Sequence, residues 1–245
     1  MLTGAELAVA IVMVTLGSVV LGTVSFGLGM VASPVLLLLL GAKPTIVLVN
    51  TMIVMIVGMV LMRTWRHLDL SRTKWLILGG AAGAPLGVFV LNIAEPGLLR
   101  IIIGVVIVTL GLLNLRDTQL SIATFPGSGL CYGFVTCVAV TAISIGGPLG
   151  GVYAIAQRWP TQTVRAALAA MFVVSSGLAV VLYAVTGLYD RDTLINLGML
   201  TPGVLIGFGV AGLLVGRLNE RMFRYVVIAL VVIGGGMLLA RELLG

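Results

Sequence analysis

The chain has 245 residues, 60% of them apolar and only 9% charged, with a mean hydropathy of +1.24. Soluble domains carry about 25% charged residues, so a soluble enzyme, a nucleic-acid binder and a disordered chain are all excluded. The net charge of +6 then belongs to loops at a membrane surface, with anionic lipid rather than nucleic acid as its partner.

At roughly 20 residues per span, a chain of this length holds about eight to ten transmembrane segments in a single domain. Cutting it at every charged residue gives the apolar runs 7–42, 44–62, 75–94 and 101–115. The pattern then restarts with 118–157, 166–189, 193–216 and 225–240. One very long run, two medium runs and a short one occur twice, which predicts an internal repeat of about 120 residues. The N-terminal repeat covers 1–117 and the C-terminal repeat covers 118–245. Local matches agree: Lys43-Pro44-Thr45 with Trp159-Pro160-Thr161, and Gly83 and Gly87 with Gly203 and Gly207.

The first run, Leu7 to Ala42, would reach roughly 55 Å as one helix, about twice the hydrocarbon thickness. It must fold back, and so must Thr118 to Gln157. The expected fold points are Ser25-Phe26-Gly27-Leu28-Gly29 and Ser144-Ile145-Gly146-Gly147-Pro148, where glycine frees the backbone and proline can start a helix but not continue one. Each repeat therefore has about five helical segments, the second too short for an ordinary span. Folding back puts ten of the fourteen basic residues on one side and leaves Lys43, Arg100, Arg191 and Arg241 on the other. The positive-inside rule makes the richer side, with the loop Arg63 to Lys74, cytoplasmic and both termini external. Five segments per repeat invert the second repeat relative to the first, an all-α architecture typical of transporters.

No acidic or basic residue and no histidine falls within the predicted hydrocarbon region. A proton relay or an acidic cation site is unsupported, and neither a metal nor a cofactor is expected. Cys131 and Cys137 read as packing residues. What converges is Gly, Ser and Thr: Thr23, Ser25, Gly27, Gly29 and Ser33 at one fold point, Thr136, Thr141, Ser144, Gly146 and Gly147 at the other. Free N–H groups at helix starts, with hydroxyl donors, suit a small anion, but the same residues also permit close helix packing. Asn50-Thr51, two turns into the third segment, is either an interhelical bond or a substrate contact. Arg165 is either an anion-attracting residue or a cytoplasmic anchor. Gly79, Gly83 and Gly87 form a packing stripe.

The stretch Gly22-Thr23-Val24-Ser25-Phe26-Gly27-Leu28-Gly29 leading to Ser33-Pro34, its echo Ile145-Gly146-Gly147-Pro148, and the Asn50-Thr51 helix resemble the TauE/SafE sulfite exporter family. The resemblance spans nearly the whole chain, although the first stretch has fewer consecutive glycines than is common there. It implies an inner-membrane transporter, not an enzyme, for a small sulfur-containing anion such as sulfite or an organosulfonate. The expected substrate-binding residues are Ser25, Gly27, Gly29, Ser33, Asn50, Thr51, Thr141, Ser144, Gly146 and Gly147. The alternative is a non-transporting membrane assembly or lipid-handling protein, whose glycine stripes would be protein contacts. The sequence also allows a homo-oligomer.

Overall fold

A computed structural model describes residues 2–99, 101–103, 105, 127–157 and 159–215. The runs 106–115 and 225–240, with Arg116, Arg217, Arg221, Arg224 and Arg241, lie outside the described residues. Within them the chain is all helical: α1 (Gly4–Val24), α2 (Leu28–Leu40), α3 (Ala42–Thr64), α4 (Leu70–Ile93), α5 (Ser128–Ile143), α6 (Gly147–Ala156), α7 (Thr161–Val185) and α8 (Arg191–Leu214). Five of these, α1, α3, α4, α7 and α8, are long and apolar enough to cross a membrane. By contrast α2, with 13 residues, and α6, with 10, reach only about 20 Å and 15 Å.

Two aspartates set where long helices start. Asp69 caps α4 by accepting from the Ser71 and Arg72 N–H groups at 3.1 and 3.3 Å, and Asp190 caps α8 by accepting from Thr193 N at 2.6 Å. Such caps satisfy N–H groups that the first helical turn leaves free. They also shorten the basic loop read from charge: only Trp65–His67, a single 3-10 turn, and two more residues separate α3 from α4. Arg72, Lys74 and Trp75 already ride on α4. Likewise α7 begins at Thr161, so Arg165 lies within a helix rather than before it.

The helices are held by small-residue seams. A Cβ added at Gly79 or Gly83 would overlap the Leu130 or Phe134 carbonyl of α5, and one at Gly133 would overlap Leu76 of α4. On the other side a Cβ at Gly207 would lie 2.5 Å from Ser18 Cβ of α1, and one at Gly22 would lie 2.6 Å from Ala211 Cβ of α8. Without a hydrophobic drive between helices in lipid, such backbone-close packing supplies the adhesion. The result is reciprocal: α4 packs most closely on α5, α8 on α1, and α3 on α7. Outward faces stay apolar, with Val9, Val12 and Leu16 exposed on α1 and Leu205, Ile206 and Leu213 exposed on α8. Helices apolar on both faces belong in lipid.

Pairings fix the two ends of the bundle. At one end the Arg63 guanidinium of α3 lies 4.3 Å from the Phe208 ring centroid of α8. Arg165 near the start of α7 reaches Gly22 near the end of α1 there. At the opposite end Lys43 Nζ donates to the Asn92 carbonyl of α4 at 2.8 Å.

Candidate functional site

Two turns meet inside this bundle. The first joins α1 to α2 through Ser25, Phe26 and Gly27. The second joins α5 to α6 through Ser144, Ile145 and Gly146. In both, a serine ends the long helix in the left-handed conformation, Ser25 at φ 67° and Ser144 at φ 60°, and donates its N–H back four residues, to Leu21 and Val140. They are the only non-glycine residues with positive φ among the described residues. A single αL residue is a usual helix ending, but glycine is the common occupant, so a serine at both places carries a strain cost.

The turns are in direct contact. A Cβ on Gly29 would overlap the Ser144 carbonyl oxygen, and one on Gly147 would overlap Phe26 Cβ. Gly27 has φ 111°, and a Cβ there would meet Val20 Cγ1 at 2.6 Å. Glycine is therefore required on both sides of the crossing, for approach at Gly29 and Gly147 and for conformation at Gly27.

Around the crossing lies a cavity of about 20 Å³, lined by Gly27, Gly29, Ser144, Gly146 and Gly147 together with Leu21, Phe26, Met30, Ile53, Val140, Ile145 and Phe172. A space of this size holds about one water. The starts of α2 and α6 both border it, and no side chain caps α2. The first-turn N–H groups of a helix have no partner within the helix, and with the macrodipole they put about half a positive charge at each start.

Of the remaining expected residues, Asn50 is fully buried, and its Nδ2 shares its two hydrogens among Val140 O at 3.0 Å, Ser144 Oγ at 3.1 Å and Ile46 O at 3.1 Å. It also accepts from Ser176 Oγ of α7 at 3.4 Å, and Ser144 Oγ donates to Ile46 O at 3.3 Å. Asn50 thus ties α3, α5 and α7 together directly behind the second turn: the interhelical role is occupied. Thr51 points away, bonded to Val47 O and to the Tyr189 hydroxyl. Burial raises the Tyr189 phenol above its ordinary range, partly offset by that bond. Thr141 is used in packing, donating to Cys137 O at 2.7 Å and Ala84 O at 3.3 Å, while Tyr183 bonds its carbonyl. Ser25 and Ser33 border no part of the cavity, yet their hydroxyls are buried without a partner. So are those of Thr45 and Thr136. Cys137 is buried and free, and Cys131 is exposed.

Sequence reasoning missed the apolar part of the lining: Ile53 and Phe172 sit mid-helix among similar residues and carry no local signal. It also missed Ser176 as the partner of Asn50. Among the described residues no group of His, Cys, Asp and Glu could hold a metal ion.

Two helix starts and the Ser144 side chain thus border a space the size of one water, and the lining includes no charged side chain. No curated protein and no solved structure matches this sequence. The family described as "Sulfite exporter TauE/SafE" matches residues 9–238, nearly the whole chain, and it is a family of membrane transporters. With five apolar helices of spanning length, this chain is a multi-pass membrane protein and belongs to the TauE/SafE sulfite exporter family.

Proposed function

We propose that the chain is a secondary transporter that exports a small sulfur-containing anion, such as sulfite or an organosulfonate, by alternating access around the crossed turns. The observation that carries this reading is that the starts of α2 and α6 border one cavity in a member of a sulfite exporter family. Two helix starts, each with about half a positive charge, neutralise much of a monoanion without a buried cation. A full fixed charge would be costly to keep in lipid while the site is empty.

The reciprocal packing supports an inverted repeat, with 1–117 and 118–245 as its halves. The fourth helix of each half lies on the first helix of the other, and the third helices lie on each other. That exchange is what a twofold axis between the halves produces, and an inverted repeat has its site at the shared interface near the midplane. Asp69 and Asp190, capping the fourth helix of each half, add to it. A cavity of about 20 Å³ is too small for an oxyanion, so the described conformation is closed, and substrate entry requires the turns to separate. Rocking of one half against the other does this. Gly27, Gly29, Ser144, Gly146 and Gly147 are the proposed substrate-facing residues, joined by Ser25 and Ser33 when the turns separate, with Asn50 and Thr141 supporting them and Thr51 turned away toward Tyr189. The arginine-bearing end faces the cytoplasm of the inner membrane, and both termini face outward.

Flux measurements in proteoliposomes, with sulfite, sulfoacetate, sulfate and phosphate, test the function. Saturable movement of sulfite or the sulfonate is expected. Folded, reconstituted protein that moves none of them would contradict the proposal.

A further inference from the structure

Two arginines stand between the crossed turns and the end of the bundle where α1, α3 and α8 finish. Arg165 is nine-tenths buried. Its Nη2 donates to Gly22 O at 2.9 Å and its Nη1 to Gln162 Oε1 at 3.3 Å, while Nε is buried with no partner. Arg63 is exposed. A Cβ on Gly212 would lie 2.6 Å from Arg63 Nη1, and the neighbouring Ala211 touches Gly22. The two guanidiniums thus flank one contact between α1 and α8. Among the described residues no carboxylate pairs with either.

This is an unusual use of charge. A buried guanidinium is stable when a carboxylate or phosphate answers it. Here one helix-end carbonyl and one amide answer Arg165, and a donor remains unused. Charged residues inside membrane bundles mark ion paths for this reason. Along α7, Arg165 lies two turns from Phe172, and along α3 Arg63 lies in the same stripe as Val60, Ile56 and Ile53. Both Phe172 and Ile53 line the cavity. At 1.5 Å per residue the Arg165 backbone is about 10 Å below that of Phe172.

We propose that Arg63 and Arg165 form a second anion site, a recruiting station below the crossed turns, at which an incoming oxyanion displaces the Gly22 carbonyl from Arg165. The exposed Arg63 attracts the anion, and Arg165 binds it with the donors that Gly22 and the empty Nε position leave available. Losing the Arg165 bond releases the last turn of α1, next to Ser25, so arrival of substrate loosens the first turn. The site rests on the transport reading for its place in a cycle, but not for its affinity.

The test is the concentration dependence of sulfite flux in wild type, Arg165→Gln, Arg165→Lys and Arg63→Gln, with detergent-solubilised protein titrated in parallel by sulfite-dependent thermal stabilisation. Arg165→Gln is expected to raise both KM and the half-saturating concentration about tenfold, the size of one hydrogen bond to a charged group. Vmax is expected to fall less than twofold. Arg165→Lys should recover part of the affinity, and Arg63→Gln should raise KM about threefold, as a solvent-screened charge does. An unchanged KM with a lowered Vmax or melting temperature would make Arg165 a brace for α1 and overturn the proposal. Should Arg165→Gln fail to fold, Arg63→Gln and Arg165→Lys decide it, and an unchanged KM in both overturns it. Wild-type flux with unaffected KM in the variants would sink this site alone. Sulfite binding without flux would sink the transport reading alone.

Discussion

The two turns share a backbone and differ in how they are held. Each ends a helix on a serine at positive φ and passes through a glycine, Gly27 or Gly146, into a short helix. The second is bolted from behind: Ser144 Oγ and the Val140 carbonyl both bond Asn50, which is bonded in turn by Ser176. The first has no such network. Ser25 and Ser33 are buried without partners, and the end of α1 is secured by one bond from Arg165. Two turns of the same shape are thus tied differently, one by a network of side-chain hydrogen bonds and one by a single such bond. In an alternating-access cycle the expected consequence is unequal motion, with the α1–α2 turn moving against a stationary α5–α6 turn.

The largest effect that could break this comparison comes from the crossing itself. Gly29→Leu places a side chain where even a Cβ overlaps the Ser144 carbonyl. Overpacking of this kind costs about 1–3 kcal/mol or more, and sulfite flux should fall to background. Gly83→Leu is a matched control at the α4–α5 seam: it should lower folded yield in detergent through helix separation, whereas Gly29→Ala should lower flux in protein that still folds. Normal flux in Gly29→Ala would place the anion elsewhere.

Next is the bolt. Asn50→Ala leaves the buried Ser176 hydroxyl without its partner, at about 1–3 kcal/mol, and takes from Ser144 one of its two bonds, so it should lower the melting temperature in detergent by several degrees. Ser25→Gly at the other turn removes a hydroxyl that bonds nothing and relieves an αL serine. It should leave the melting temperature level or raise it, while reducing flux if the hydroxyl meets the anion. Equal destabilisation by the two variants would erase the asymmetry.

The smallest effect is at the cap of α8. Hydrogen bonds from Thr193 hold the Asp190 carboxyl below its ordinary range. A carboxylate with a depressed folded-state pKa stabilises above its unfolded pKa, and the contribution fades as pH falls through the folded value. Asp190→Ala should cost about 1 kcal/mol at neutral pH and progressively less under acid conditions, when followed by thermal melts across pH. A pH-independent difference would show that the cap acts without its charge.

Much of this was legible because it follows from length and glycine. An uncharged run twice the hydrocarbon thickness has to reverse, and only a few Gly/Ser stretches permit it. Charge was a poorer guide to helix ends. Leu70, Arg72 and Lys74 belong to α4 because Asp69 caps it, and Arg165 lies one turn inside α7, so cutting at charges started both helices late. Pairings across the fold were not legible at all. Asn50 with Ser144, and Arg165 with Gly22, join residues 94 and 143 positions apart, and nothing local to either marks the other. Phe172 and Ile53 are ordinary apolar residues until the turns are set against them.

The most direct test of the crossed-turn site is the initial rate of sulfite flux through Gly146→Ala, compared with wild type at matched reconstitution and melting temperature. A Cβ at Gly146 would overlap the Thr136 carbonyl and lie 2.9 Å from Val140 Cγ2, which displaces the start of α6 without altering any charge. The expected result is a loss of about tenfold or more, equivalent to roughly 1.4 kcal/mol on the transport barrier, with Arg165→Gln at saturating sulfite remaining the milder change. A Gly146→Ala rate equal to wild type would contradict an anion site at the crossed turns.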